Sequence, residues 1–281
     1  MSGFAPDWLR LREAADHRAR NRALAAKLAA HFSDRAEAAI YDLGAGLGSN
    51  LRGSYDLLPQ RQHWTLVDHD AALLSAACEE IANWADRSRP TASGIEAVKD
   101  GRSLHVEVKR HDLAADPAPW TKTPPDLVTA AALFDLVSAQ WIGRFVSALA
   151  AARIAFYTVL THDAETQWSP PHSADAAMKA AFESHFGRDK GFGSSAGGAA
   201  TRLMADEFAT AGYMVERASS PWVLGADDRA LVAALADGWA AAVRETGAVP
   251  EQKIQEWLDA RTTGAACVVG HEDLLALPPK N

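Results

Sequence analysis

Apolar residues along this chain follow two alternating rhythms. Near the start, Trp8, Leu11 and Ala15 recur at helical spacing, and Leu24, Leu28 and Phe32 repeat the pattern, so Asp7 to about His31 reads as one amphipathic helix or two. Short apolar runs then alternate with helical periods. EAAIYDL (37–43), HWTLVD (63–68), SLHVEVKRHD (103–112), DLVTAA (126–131), RIAFYTVLTHD (153–163), YMVERASSPWVLG (213–225) and AACVVGH (265–271) read as seven strands. Between them, 50–58, 71–87, 138–152, 174–186, 201–212, 227–245 and 254–262 carry helical spacing. Residues 88–102 read as loop, as does 116–125 with its four prolines, and 187–198 reads as a flexible glycine-rich stretch.

Strand followed by helix, repeated, implies right-handed crossovers and a mainly parallel sheet. The expected fold class is α/β: a Rossmann-like, doubly wound, seven-stranded sheet with helices on both faces and an N-terminal helical extension. Residues 1–34 form the expected cap and 35–281 the main domain, with 164–212 as its substrate or lid region. Ligands of such sheets sit beyond the carboxyl ends of the strands, so useful residues should follow Leu43, Val67, Arg110, Ala130 and Leu160.

The first of those positions opens IYDLGAGLGSN, with Gly44, Gly46 and Gly48 at every second residue and Asp42 just before them. Glycine permits a tight turn and close approach of a ligand to the backbone. The third glycine comes one residue too early for the dinucleotide pattern G-x-G-x-x-G, where Ser49 would stand. Asp42 would repel a pyrophosphate but suits a ligand carrying an ammonium group.

These residues resemble the first motif of class I S-adenosylmethionine-dependent methyltransferases. The resemblance continues through Asp68 at the end of TLVDHD, Asp112 in KRHDLA and the run DLVTAAALFDLVS, and it covers roughly residues 37 to 160. Asp68 lies 24 residues after Gly44, near the ~20-residue spacing of an acid that reaches a ribose. The resemblance implies S-adenosyl-L-methionine as cofactor. It assigns Asp42, Gly44, Ala45 and Gly46 to the methionine part, Asp68 and His69 to the ribose, Asp112 and Leu113 to adenine, and Ala130 and Ala131 to backbone near the sulfur. It also implies a final antiparallel hairpin, for which 213–225 and 265–271 are available.

Methyl transfer from a sulfonium is an in-line displacement that needs alignment and exclusion of water. Phe134, just past the fourth strand, is placed to offer an aromatic face to the cation. His162 and Asp135 are the candidate bases at strand ends. Trp141, Trp168, Phe192 and Arg12 are candidates for acceptor contacts, and Arg188, Asp189 and Lys190 add charges to the possible lid. His162, Asp163, Glu165 and His172 match no standard metal spacing, so no metal is expected.

Composition narrows the acceptor. A formal net charge of −8 makes the chain a poor general binder of phosphate backbones, and the arginines of RLREAADHRARNR are diluted by Glu13 and Asp16. A small molecule is the expected partner, rather than nucleic acid. Two distant cysteines, Cys78 and Cys267, and the lack of any long uncharged apolar run suggest a cytoplasmic protein and no membrane partner. Alternatives are a catalytically inactive adenosyl-ligand binder of the same fold and an NAD-dependent oxidoreductase. GSSAG (193–197), with Ser195, Asp228 and His271 in hydrolase order, lacks the strand that a nucleophile elbow must follow.

Overall fold

The computed structural model describes residues 5–120, 123–187, 189, 191–262 and 264–279. Two helices, α1 (Pro6–Ala19) and α2 (Arg22–Phe32), precede β1 (Glu37–Leu43), the short α3 (Ser49–Arg52), β2 (Arg61–Asp68) and α4 (Ala71–Trp84). Then follow β3 (Arg87–Pro90), β4 (Gly94–Lys99), β5 (Arg102–Arg110), β6 (Leu127–Ala131), α5 (Ala139–Ala152) and β7 (Ala155–Ser169). The chain continues through α6 (Asp175–Phe186), α7 (Ala200–Thr210), β8 (Met214–Ser219), β9 (Trp222–Leu224), α8 (Arg229–Thr246), α9 (Glu251–Thr262) and β10 (Ala266–Leu277).

All ten strands join one sheet in the order β3-β4-β5-β2-β1-β6-β7-β10-β8, with β9 pairing beside β8 on β10. Its centre is parallel: β5, β2, β1, β6 and β7 run together, and Leu43 stands level with Val67 and Ala130. This register brings the strand ends after Leu43, Val67 and Ala130 to one edge. β10 is antiparallel to both β7 and β8, which is the terminal hairpin geometry the later strands suggested. The Rossmann-like α/β fold is therefore present.

Three local expectations need correction. Among the described residues the strand count is ten, not seven, because 88–102 is a hairpin of β3 and β4 and because 213–225 splits into two strands. Ile95 and Ala97 alternate inward against the core while their neighbours stay accessible, and Pro90 sits on the outermost strand, where a missing N–H is harmless. Residues 50–58 are only a helical turn and a 3₁₀ turn, Tyr55–Leu57. The fifth long strand does not stop at 163. It bends at Leu160, which takes a left-handed φ of 59°, and runs on to Ser169 beside β10. Two register shifts in β10 absorb the bend.

Burial follows the alternation of the strands. One face packs Ile40, Trp64, Leu66, Val106, Tyr157 and Leu275 against α2, α4, α6, α8 and α9. The other packs Leu43, Val67, Val128, Phe156 and Leu274 against α5 and α7. The link from β5 to β6 contains no helix among the described residues, and Trp120 covers Tyr41 edge-on instead, with ring centroids 6.4 Å apart. Side-chain oxygens cap α2, α4 and α5: Asn21, Asp70 and Ser138 each accept from backbone N–H groups of the first turn.

The two N-terminal helices are bonded to the last strands of the sheet. Asp273 on β10 accepts from Asn21 N (2.7 Å) between α1 and α2, from Leu160 N (2.9 Å) and from the Ser220 hydroxyl (2.5 Å). Asp16 on α1 accepts from the Trp222 indole at 3.0 Å. No helix among the described residues is long and apolar enough to cross a membrane.

Candidate active site

A cavity lies at the carboxyl edge of the sheet. Gly44, Ala45, Gly46 and Leu47 line it after β1, Asp68 and His69 after β2, His111, Asp112 and Leu113 after β5, and Ala131, Ala132 and Leu133 after β6. Helix α1 closes it with Leu9, Arg12, Asp16 and Arg20.

The glycine loop owes its shape to left-handed backbone at Gly44, Gly46 and Gly48, with φ of 65°, 53° and 73°. A side chain at Gly46 would come within 3.3 Å of Leu9, so the loop and α1 are fitted to each other. The Asp68 carboxylate anchors the loop. Its Oδ2 accepts from Gly46 N and its Oδ1 from Asp70 N, both at 3.0 Å. Asp68 is only 6% exposed, yet each oxygen retains capacity for a further donor on the cavity side. His69 Nδ1 stands 3.2 Å from Asp68 Oδ1. Asp112 is exposed, and its side chain accepts from Ala114 N at 3.0 Å, which closes a turn and not a helix. Leu113 is held from behind, since its carbonyl accepts from the Trp141 indole at 2.6 Å.

Asp42 and Ala130 lie one layer below the wall, each fully buried. The group between Asp42 and the cavity is Asn50. Its amide donates to Asp42 Oδ1 at 2.7 Å and to the Thr129 hydroxyl at 3.1 Å. Burial raises the Asp42 carboxyl to about 7, against the opposing effect of the Asn50 hydrogen bond. Asp42 Oδ2, Asn50 Oδ1 and Arg20 Nε are buried with no hydrogen-bond partner among the described residues. Two acceptors and one donor are thus left unpaired at or just behind the wall that Asn50 and Arg20 form. An amino acid group, with its ammonium and carboxylate, supplies the complementary set.

Of the acceptor candidates, Arg12 and Phe192 line the cavity. Arg12 is already paired with Asp16 through two bonds of 2.9 and 3.2 Å and lies over the Trp222 ring. Three aromatic expectations are corrected. Phe134 is fully buried among Trp141, Phe145 and Phe156, because the 3₁₀ turn after β6 rolls its ring into the core. Trp141 stacks on Phe145 and supports Leu113 and Phe192 from behind. Trp168 packs among Trp239, Trp257 and Arg261 beneath α8 and α9, since β7 continues past the cavity before reaching it. Arg188 and Lys190 lie outside the described residues, and Asp189 turns its carboxylate onto Gly191 N and Gly193 N.

The two candidate bases come together, although neither lines the first cavity. Asp135 is 6% exposed, and its carboxylate lies against the His162 backbone N–H and within electrostatic reach of the His162 ring and Arg12. Burial, the dominant effect, raises its pKa above the usual carboxylate range. His162 sits within β7, opposite His271 on β10, with ring centroids 5.8 Å apart. Burial, then His162 and Arg12, hold His271 neutral by lowering its pKa well below the ordinary value. Ser195 of the hydrolase pattern follows no strand and donates its hydroxyl to Phe186 O at 3.1 Å.

Solved structures with this architecture include a cyclopropane-fatty-acyl-phospholipid synthase-like protein from Lactobacillus casei, 14% identical, with a TM-score of 0.50 over 95% of this chain and 92% of that one. The YcgJ protein from Bacillus subtilis is 13% identical with a TM-score of 0.47 over 92% and 100% of the two chains. The cyclopropane synthase MmaA2 from Mycobacterium tuberculosis is 12% identical with a TM-score of 0.45 over 90% and 83%. No family model and no curated protein sequence matches the chain. The likeness to the Lactobacillus casei protein is one of fold.

Proposed function

We propose that this chain is an S-adenosylmethionine-dependent methyltransferase acting on a small-molecule acceptor. One observation carries the proposal: a single cavity is lined by a left-handed glycine loop, by an acid bonded to that loop and by a second acid after the next strand along the sheet edge. Glycine backbone and successive carboxylates suit a cationic adenosyl ligand and oppose a pyrophosphate.

In this reading Asp68 receives the ribose hydroxyls, with His69 beside it, and Asp112 with Leu113 bounds the adenine. Asn50 Oδ1 receives the ammonium group, Asp42 adds its charge from below, and Arg20 and Arg12 face the carboxylate. Ala131 and Ala132 bring backbone to the reacting centre, where Ala132 holds a left-handed φ of 51°. The bound cofactor supplies an electrophilic methyl group whose departure leaves a neutral thioether. The protein aligns the acceptor with it and, with α1 closed over the loop, excludes water. Asp135, made more basic than an ordinary carboxylate by burial, takes the acceptor's proton with His162 beside it.

Calorimetric titration tests the reading. S-adenosylhomocysteine should bind the wild-type chain, and Asp68→Ala should weaken it at least about tenfold, the loss expected from hydrogen bonds to a charged group at about 1.5–3 kcal/mol each. Saturation by NADH with no binding of S-adenosylhomocysteine would refute it.

A further inference from the structure

The segment that carries Phe192 borders two cavities. Phe192 lines the first, and Ser195 and Gly198 line a second of about 310 Å³. His162, Phe182, Phe186 and Trp239 complete much of the second wall. These rings form a series. Trp239 stacks on Phe182 with centroids 4.3 Å apart and planes 6° from parallel. Phe182 stacks on Phe186 at 5.9 Å, and the Phe186 ring meets His162 at 5.7 Å.

His162 ends the series beside two polar atoms that no group among the described residues satisfies. Asp135 Oδ1 and His271 Nδ1 are both buried without a hydrogen-bond partner, in residues 6% and 5% exposed. A buried polar atom left unpaired is costly, and these two lie behind His162, a residue of the cavity wall. Asp135 also belongs to the turn whose next residue, Leu136, lines the first cavity. Leu136 thus lines the first cavity and His162 the second, and the Asp135–His162 pair lies between the two walls.

We propose that this second cavity recognises the acceptor, and that the acceptor is a planar aromatic compound bearing a ring hydroxyl or amino group. The inference rests on the methyl-transfer reading for the role of acceptor, but not for the recognition itself. The ligand's ring extends the Trp239–Phe182–Phe186 series, where offset and edge-on contacts favour aromatic over saturated rings. Its hydroxyl or amino group lies at His162, with Asp135 and His271 behind that ring. As the ligand's oxygen or nitrogen bonds the methyl carbon, its proton passes by way of His162 to Asp135, and the electron pair of the broken carbon–sulfur bond stays on sulfur.

The test is equilibrium dialysis of the full chain with 2-naphthol and its saturated counterpart decahydro-2-naphthol, with S-adenosylhomocysteine affinity measured separately. The expected result is 2-naphthol binding about tenfold tighter than the saturated alcohol. Phe186→Leu, which keeps apolar volume, and His162→Gln should each weaken 2-naphthol several-fold, while S-adenosylhomocysteine affinity stays within about twofold. Equal affinity for the two alcohols, or 2-naphthol binding indifferent to both variants, overturns the proposal. Absence of S-adenosylhomocysteine binding, with ring-selective and Phe186-dependent 2-naphthol binding intact, overturns the methyl-transfer reading alone and leaves the aromatic site standing.

Discussion

Asp42 offers a quantitative test of whether the cavity binds a cation. Its carboxyl titrates near 7, because burial disfavours the charge and the Asn50 hydrogen bond only partly offsets this. At pH 6 it is therefore roughly nine-tenths protonated in the free protein. An ammonium group about 5 Å away, at an effective dielectric of about 20, favours the carboxylate by about 3 kcal/mol, or roughly two pKa units. Binding near pH 6 should then expel about 0.8 proton. Affinity for S-adenosylhomocysteine should rise about twentyfold from pH 5.5 to 7.5 and flatten above that. Calorimetry in two buffers of different ionisation enthalpy counts the proton directly. Asp42→Asn should remove both the proton release and most of the slope. It also separates Asp42 from His17, whose pKa is lowered by burial and by Arg20 and which hydrogen-bonds Ser49 in the same wall. A wild-type profile flat over this range with no proton exchanged, or an Asp42→Asn profile identical to wild type, would refute the electrostatic argument.

The same group makes a prediction for the free protein. A carboxyl whose folded pKa is raised is neutral in both states below about 4. From there the unfolded chain loses its proton first, so stability falls as pH rises, and the loss is complete above about 7 at roughly 4 kcal/mol. Asp42→Asn should therefore denature at higher urea than wild type at pH 7.5 and show no advantage at pH 4.

Two further outcomes follow from the buried charges. Asp135→Asn should lower kcat by about 100-fold or more, the range of general base catalysis, and His162→Ala by a smaller factor, with S-adenosylhomocysteine affinity unchanged in both; a retained kcat in both variants removes the assigned base. Arg261 is buried against Asp175 between Trp168 and Trp257, so Asp175→Ala should cost about 3–5 kcal/mol by leaving an unpaired buried cation, seen as a melting point lowered by about 10 °C; an unshifted transition would show the guanidinium to be solvated.

The parts of the site legible in the sequence are those that the chain itself brings close. Gly44, Gly46 and Asp68 are fixed by a strand, a turn and the next strand, and the parallel register of β1 with β2 does the rest. Asn50 was also within reach, eight residues after Asp42 on the first turn past the glycines, but an amide carries no charge to draw notice. Leu9, Asp16 and Arg20 were beyond it, because their place depends on how α1 folds back across the sheet edge. The β3–β4 hairpin had a visible signal in the alternation of GIEAVK, outweighed by the proline, serine and glycine before it. The continuation of β7 had little, since HDAETQW is polar and its pairing depends on β10 a hundred residues later. Phe134 and Trp168 show the remaining limit: large aromatic side chains carry the same sequence signal whether they face a ligand or a core.

That long-range closure also links the two halves of the proposed chemistry. Leu160 leaves the regular strand geometry to give its N–H to Asp273, and the bend carries β7 on to His162. The other oxygen of Asp273 fixes Asn21, at the joint between α1 and α2, and α1 is what brings Leu9, Arg12 and Arg20 over the glycine loop. Asp273 itself is fully buried and touches neither cavity wall. A carboxylate with three donors in such a place is tied into both elements, so α1 cannot lift at that joint without disturbing the bend that presents His162. The helix over the glycine loop and the strand that carries His162 are thus parts of one packed unit, held by a residue outside both cavity walls.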